Sequence, residues 1–292
     1  MTVQGIDVST YQRNVDYNKL KQQGISFVII RAGYGRYLTQ KDIMFEEHYK
    51  NAKAAGLDVG AYWYSYATSA DDAEKEAKTC LEAIKGKKFE YPIYFDLEEW
   101  SQLQQGANFC SNLITSFCST IEKAGYFAGL YMSRSHLQNY VKPEVAKKYT
   151  LWVAEYGSSC NYNGSYGIWQ NTSTYHANGY SGNLDHDYCY VDYPTIIKQG
   201  GFNGYTKPKE LKELDTSGLK YDDKNGIAVL ALKQLLLGAK SKGWVTANFK
   251  MDYGFGTGTQ SAVNQVLKKW GYKENGIAGD NFIGKLGSDL TK

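Results

Sequence analysis

The sequence lacks most features that mark a secreted, membrane-spanning or metal-binding protein. Its first 30 residues contain no basic segment followed by an apolar run, so no signal peptide is predicted. No window reaches the ~18 consecutive apolar residues of a membrane span. The five cysteines are odd in number without CxxC spacing, and the four histidines are scattered. A disulfide framework and a metal site are therefore disfavoured, and buried free thiols in a reducing compartment are expected.

Proline is scarce, with 4 residues, whereas glycine reaches 30, which favours tight turns over proline-rich linkers. Hydrophobic residues make up 42% and charged residues 22% of the chain, which argues against disorder and against a coiled coil. Aromatic residues reach 15%, with 26 tyrosines. Tyrosine suits surfaces on which sugar rings stack, but a tyrosine-rich core and surface explains the composition equally well.

The net charge of +3 conceals an asymmetry along the chain. Residues 1–205 carry a net charge of −2, and residues 206–292 carry +5. A basic tail suggests an anionic partner, either nucleic acid or a bacterial cell wall. The tail contains no nucleic-acid-binding motif, so a basic face exposed to solvent explains its charge more simply than nucleic-acid binding does.

Short apolar runs alternate with amphipathic segments in the first two hundred residues. The predicted strands are 3–8, 26–32, 58–66, 91–97, 127–132, 150–155, 166–170 and 183–190. The predicted helices are 16–23, 39–55, 69–85, 107–124 and 143–149, the second beginning with Thr39 and Asp42. Five strand–helix units followed by strands with little helix predict an α/β fold with a parallel sheet. Eight such strands can close into a barrel, with the active residues at their carboxyl ends.

The pattern changes after Asp192. A turn-rich break at 199–204 and a charged connector at 207–215 precede three helical segments, which start at 226, 260 and 281. The predicted domains are a barrel over 1–200, a linker over 201–217 and a small, mainly helical domain over 218–292.

Acidic residues collect at the predicted strand ends. Asp7 ends the first strand, Asp96 and Glu98 end the fourth, and Asp185 lies in the last. Residues i and i+2 of a strand face the same side, so Asp96 and Glu98 should point together and Glu99 away. Clustered acids hold one carboxyl protonated near neutral pH, as glycosidases require. Acids that only cap helices or turns remain the alternative at this point.

Aromatic residues cluster at the same strand ends, as expected of a cleft that binds a polysaccharide. Taken singly, each of them fits a core position as well as a sugar contact. The cluster consists of Tyr34, Tyr62, Trp63, Tyr64, Tyr131, Trp152, Tyr156 and Trp169.

Six motifs in order over roughly residues 3–195 resemble the glycoside hydrolase family 25 lysozymes, muramidases common among bacteriophage endolysins. The motifs are GIDVS, RAGYG, GAYWYSYA, YFDLEEW, LWVAEYG and GNLDHD. The resemblance implies a TIM-like (β/α)5(β)3 barrel. It also implies that Glu98 is the general acid, that Asp96 orients the 2-acetamido group or the water, and that Asp7 and Asp185 tune charge and position the sugar. The residues implied to bind substrate are Tyr34, Tyr62, Tyr64, Tyr131, Trp152, Gln170 and Asp187.

The tail resembles small peptidoglycan-binding modules in two places. Residues 251–263, MDYGFGTGTQSAV, are similar to the signature Asp-Gly-x-Phe-Gly-x-x-Thr-x-x-Ala-Val, with Tyr253 where glycine is usual. Residues 275–279, NGIAG, are similar to the Asp-Gly-Ile-x-Gly turn, with Asn275 where aspartate is usual. The resemblance implies binding to peptidoglycan, and a dimerisation or spacer domain is the alternative.

These observations predict an endolysin-type lysozyme that cleaves the β-1,4 bond between N-acetylmuramic acid and N-acetylglucosamine. The expected partners are bacterial peptidoglycan and anionic wall polymers, with no nucleic acid, membrane, metal or organic cofactor. The enzyme is expected to be made in a host cytoplasm and to act on the wall after release. The alternatives are a non-catalytic carbohydrate-binding or virion structural protein on the same barrel, and a hydrolase of another N-acetylated glycan.

Overall fold

Eight strands form a closed barrel in which their order around the ring follows the chain. The computed structural model of the protein describes residues 2–208, 211–224 and 226–292. The strands are β1 Val3–Val8, β2 Ile25–Tyr34, β3 Asp58–Tyr64, β4 Ile93–Asp96, β5 Ala128–Ser133, β6 Thr150–Ala154, β7 Ile168–Tyr175 and β8 Leu184–Cys189. The predicted α/β barrel is confirmed.

One strand departs from the parallel sheet that the alternation of strands and helices predicts. β1 to β7 are parallel to their neighbours in turn, but β8 is antiparallel to both β7 and β1. No helix separates β7 from β8. A short connection reverses the chain direction, whereas a parallel neighbour needs a crossover of a dozen or more residues.

Eight α-helices accompany the barrel in residues 2–208. They are α1 Tyr17–Gln22, α2 Phe45–Ala54, α3 Ala70–Ala83, α4 Trp100–Leu103, α5 Ala107–Lys123, α6 Arg134–Tyr140, α7 Pro143–Ala146 and α8 Tyr193–Gly200. Sequence patterns missed α4, α6 and α8. The helix predicted at 39–55 begins only at Phe45, because the Asp42 carboxylate is used elsewhere: it pairs with Arg31 and accepts from the Met44 N–H.

Aromatic side chains fill the lower part of the barrel interior, and glycines paired with them on neighbouring strands make room for them. A Cβ atom at Gly5 would lie 2.3 Å from Cζ of Phe27, and one at Gly129 would lie 2.4 Å from Cε1 of Tyr94. Trp152 is buried in the same cluster. This packing closes the barrel below, so a site inside it opens only at the carboxyl ends of the parallel strands.

The chain divides into two compact units, Met1–Pro208 and Lys209–Lys292. The predicted barrel ends at residue 200, whereas the first compact unit extends to Pro208. Asn203 is fully buried in the barrel unit, where it accepts from the Phe127 N–H and donates to the Tyr91 carbonyl. Asp215, which lies in the linker predicted over 201–217, belongs to the second unit. Residues 209 and 210 of that linker lie outside the described residues.

The second unit contains three helices within residues 211–224 and 226–292 and has its own small core. Its helices are α9 Gly226–Ser241, α10 Thr257–Trp270 and α11 Asp280–Leu290. Phe255 and Phe282 are buried in the core. Asp215 joins the start of the unit to α11 by accepting hydrogen bonds from the Gly279 and Phe282 N–H groups.

All five cysteines are free thiols. Four of them are buried as predicted, whereas Cys160 is half-buried. No helix in the described parts of the chain is both long and apolar enough to cross a membrane.

Candidate active site

A cleft of about 650 Å³ opens at the carboxyl ends of the parallel strands. It lies above the aromatic layer, because alternate residues of each strand face the barrel interior. On β2, Phe27 and Ile29 lie in the lower layer and Arg31 lines the cleft. On β4, Tyr94 lies below and Asp96 lines the cleft. Along each of these strands, the inward-facing side chain therefore changes from aromatic or aliphatic to charged over two residues.

The four predicted catalytic acids all line this cleft. Asp7 and Asp185 are direct partners in the antiparallel pairing of β1 with β8. Asp96 is the last residue of β4 and is buried, whereas Glu98 follows the strand and is exposed at the cleft opening. The structure thus brings together side chains that are up to 178 positions apart in the sequence.

Glu99 contacts a residue of the cleft without lining the cleft itself. Its Oε1 accepts a hydrogen bond of 2.6 Å from the hydroxyl of Tyr64, which is a lining residue. β4 ends at Asp96, and Glu99 precedes α4 as its N-cap. Leu97 points away from the cleft, into the hydrophobic core.

Burial and mutual repulsion raise the pKa of the acids. The pKa of Asp7 is raised well above its usual value by burial and by the charges of Asp185 and Asp187. The pKa of Asp96 is raised by burial and by Glu98. Partial burial of the Glu98 carboxyl, together with the nearby charges of Glu99 and Asp185, raises its pKa as well. The cluster therefore retains protons at a pH where isolated carboxyls are ionised.

Gln170 connects the acids to the tyrosines. Its Nε2 donates to Oδ2 of Asp7 at 2.7 Å, and its Oε1 accepts from the hydroxyls of Tyr131 at 2.9 Å and Tyr156 at 3.3 Å. Gln170 is buried and lines the cleft. Its prediction as a substrate-binding residue stays a prediction, while the geometry shows that it orients Asp7.

Asp187 does not line the cleft, contrary to its predicted place among the substrate-binding residues. It lies one layer deeper, paired with Gly5 of β1, and is 0% exposed. Its Oδ1 accepts from Nε1 of Trp152 at 2.7 Å, and its Oδ2 has no hydrogen-bond partner among the described residues. Burial raises the pKa of Asp187 well above its usual value. The alternation that places Asp185 in the cleft places Asp187 beneath it.

The predicted aromatic residues Tyr34, Tyr62, Tyr64, Tyr131 and Trp152 all line the cleft. Trp152 packs between Tyr131 and Tyr62, with ring centroids 4.5 and 6.0 Å apart, and forms the floor. Tyr156 of the predicted cluster also lines it, as do Tyr11 and Tyr66, which the sequence analysis did not single out.

Trp63 and Trp169 of the predicted aromatic cluster do not line the cleft. Trp63 is buried in the core outside the barrel and donates to the Gly35 carbonyl. Trp169 donates to the Glu155 carbonyl and stacks on Tyr188. Both belong to the alternate residues that face away from the barrel interior.

Known proteins resemble this chain over the barrel. The model of the glycosyl hydrolases family 25 matches residues 6–180, more than half of the chain. An autolytic lysozyme of Clostridium acetobutylicum is 31% identical over 186 residues, which cover 63% of this chain and 55% of that protein.

Solved structures agree with that match. The modular autolysin LytC of Streptococcus pneumoniae, in complex with a synthetic peptidoglycan ligand, has a TM-score of 0.59 and 27% identity, covering 65% of this chain and 47% of that one. The catalytic domain of endolysin ply40 from bacteriophage P40 of Listeria monocytogenes has a TM-score of 0.55 and 26% identity, covering 68% and 97%. The matched region thus spans about half the length of the clostridial and pneumococcal relatives. The barrel, the acids at its carboxyl end and these matches together place the chain in the glycosyl hydrolases family 25.

Proposed function

We propose that this chain is a lysozyme that hydrolyses the β-1,4 bond between N-acetylmuramic acid and N-acetylglucosamine in bacterial peptidoglycan. The observation that carries the proposal is the convergence of Asp7, Asp96, Glu98 and Asp185 in one aromatic-lined cleft. Two relatives support the choice of substrate, since one is named an autolytic lysozyme and another was solved with a peptidoglycan ligand.

Glu98 is the general acid in this mechanism. It lies at the cleft opening, where a glycosidic oxygen can approach, and its raised pKa favours the protonated form. It gives its proton to the leaving oxygen as the bond from that oxygen to the anomeric carbon breaks. The incoming water completes the reaction by adding its oxygen to the anomeric carbon, and its proton returns to Glu98.

Asp96 acts from below the reacting bond. It is buried, and the nearby guanidinium of Arg31 lowers its pKa against the larger effects of burial and of Glu98. The ionised form stabilises positive charge on the sugar and orients the 2-acetamido group or the water. Two such interacting carboxyls share a proton, so ionised Asp96 favours protonated Glu98.

Glu98→Gln tests this assignment. The amide keeps the size of the side chain but has no proton to give, so release of reducing sugar from purified walls should fall at least ~100-fold. Glu74→Gln is the matched control, because the Glu74 side chain on α3 is 46% exposed and, in the part of the chain that the structure describes, forms an ion pair only with Lys78. It should retain full activity.

Product analysis decides the bond that is cleaved. Mass spectrometry of the wild-type digest should find N-acetylmuramic acid at the new reducing ends. N-acetylglucosamine at those ends, or a Glu98→Gln protein that still releases product, would contradict the proposal. No product from any wall would favour a non-catalytic carbohydrate-binding protein.

We also propose that residues 218–292 attach the enzyme to the wall, where it acts. The support is the net charge of +5 over residues 206–292, the resemblance of 251–263 to wall-binding modules, and a separate hydrophobic core. A fluorescent fusion of residues 206–292 should decorate Gram-positive walls, and binding should weaken with salt. A fusion that decorates no wall preparation would favour a spacer or dimerisation domain.

A further inference from the structure

One positive charge lies in an otherwise acidic cleft. Arg31, on the inner face of β2, is the only arginine, lysine or histidine among the described residues that line it. The Arg31 side chain is mostly buried, with only 13% of it exposed to solvent.

Asp42 fixes the orientation of this arginine. Its Oδ2 lies 2.7 Å from Nε of Arg31 and also accepts from the Thr10 N–H, while Oδ1 accepts from the Met44 N–H. The Asp42 side chain is fully buried, so this carboxylate cannot turn away. The pairing occupies Nε and leaves the two terminal nitrogens of Arg31 on the far side of the guanidinium.

The guanidinium of Arg31 lies beside two aromatic rings that line the cleft. Cζ of Arg31 is 5.2 Å from the ring centroid of Tyr11 and 6.0 Å from that of Tyr34. Both rings are exposed at the rim. Within residues 2–208, 211–224 and 226–292, neither terminal nitrogen has a hydrogen-bond partner. Two parallel N–H donors of a guanidinium match the two oxygens of a carboxylate.

We propose that the terminal nitrogens of Arg31 bind a carboxylate of the glycan substrate and thereby select an anionic, muramic-acid-containing chain over a neutral polymer of N-acetylglucosamine. This inference rests on the proposed function, because it names the substrate feature that the same cleft recognises. An anionic substrate would otherwise be repelled by Asp7, Asp96, Glu98 and Asp185. Arg31 compensates for that repulsion at the rim, where the substituents of the sugar ring emerge.

The carboxylate has two possible sources, the lactyl group of muramic acid and the peptide attached to it. Four probes separate them, each built on a tetrasaccharide of alternating N-acetylglucosamine and N-acetylmuramic acid. The first carries free lactyl acids and the second their methyl esters. The third carries L-alanyl-D-glutamate on the lactyl groups, and the fourth carries the same dipeptide with its carboxyls amidated.

Binding of these probes to the full chain tests the proposal independently of catalysis. Calorimetric titration of the Glu98→Gln protein should give a Kd at least about ten-fold lower for the acid than for the neutral member of one pair. A preference within the first pair identifies the lactyl group, and one within the second identifies the peptide. Equal Kd values within both pairs would overturn the proposal, whereas wild-type protein that cleaves no wall refutes only the proposed function.

Variants of Arg31 in the same background assign the preference to this side chain. Arg31→Gln should bring the Kd ratio to about one, and Arg31→Lys, which keeps the charge but not the paired donors, should keep part of the preference. If Arg31→Gln weakened the acid and the neutral probe equally, the arginine would act only on Asp96 and the fold, and the proposal would fail. The comparison of acid and neutral probes in the Glu98→Gln protein needs no substitution of Arg31. A misfolded Arg31→Gln protein therefore does not remove the test.

Discussion

The buried carboxyl of Glu76 holds one wall of the cleft in place. Glu76 lies on α3 and is 0% exposed. Its two oxygens accept hydrogen bonds of 2.7 Å from the Ser65 hydroxyl and 2.8 Å from the Tyr66 N–H, directly after β3. Gln102 donates to the same hydroxyl of Ser65. Because Tyr66 lines the cleft, the protonation state of Glu76 acts on a wall of the active site.

Burial raises the pKa of Glu76 from 4.5 to about 7, against the two hydrogen bonds, which lower it. Between these two values the unfolded chain releases the proton and the folded protein keeps it. The folded protein therefore loses stability as the pH rises through this window, by about 3 kcal/mol in all. Below the window both states are protonated, and above it both are ionised, so the loss neither grows nor recovers.

Glu76→Gln removes this dependence of stability on pH, because the amide does not titrate. It puts one oxygen and one nitrogen atom in place of the two carboxylate oxygens. Relative to wild type, the variant should gain about 3 kcal/mol in the free energy of unfolding from pH 4.5 to pH 7. This corresponds to a gain of about 6 to 12 °C in the midpoint of thermal unfolding of the barrel. Denaturant titrations of both proteins at half-unit pH steps measure the difference, in which the other titrating groups cancel. A difference that stays constant from pH 4.5 to pH 7 would refute the reasoning.

Two further outcomes follow from single contacts. Gln170→Leu removes the donor to Asp7 and should lower kcat/KM on walls by about ten-fold or more. Tyr156→Phe removes only the longer hydrogen bond to Gln170 and should change kcat/KM little. Equal losses in the two variants would contradict the role given to Gln170. Lys233→Met removes the buried donor to the Asp252 carboxylate and to the Asp252 and Gly254 carbonyls. It should destabilise the second unit by about 1–3 kcal/mol in denaturant titrations of the full chain. Lys268→Met, at an exposed site, is the control and should change the stability little.

The barrel could be predicted because each of its strands has a local signal in the sequence, a short run of apolar residues. The run 27–30 is apolar at every position because each side of the strand is buried, one side by the barrel interior and the other by helices. The carboxyl end of such a parallel strand lies at the mouth of the barrel, and that rule placed Asp7 and Asp96 in one cleft. Asp185 lies near the amino end of β8 and reaches the same cleft because β8 is antiparallel. The sequence carries no local signal for that direction, since no crossover helix precedes β8.

The contacts within the site could not be predicted in the same way. Gln170 and its partner Asp7 are 163 positions apart, and neither residue type indicates the other. The two-residue period of a strand puts Asp185 and Asp187 on the same face, but a period carries no information on depth. Only the strand register shows that Asp187 lies opposite Gly5 and therefore beneath the cleft.

Depth separates the roles of the acids. Asp187 is enclosed at the bottom, Asp7 and Asp96 are buried in the wall, and Glu98 alone among these four is exposed. A general acid must recover its proton in each catalytic cycle, which requires contact with water or with the reacting water molecule. Glu98 combines a raised pKa with access to solvent. We infer that the chain places its general acid two residues beyond the end of β4 for this reason, and that partial burial and the neighbouring charges of Glu99 and Asp185 raise its pKa.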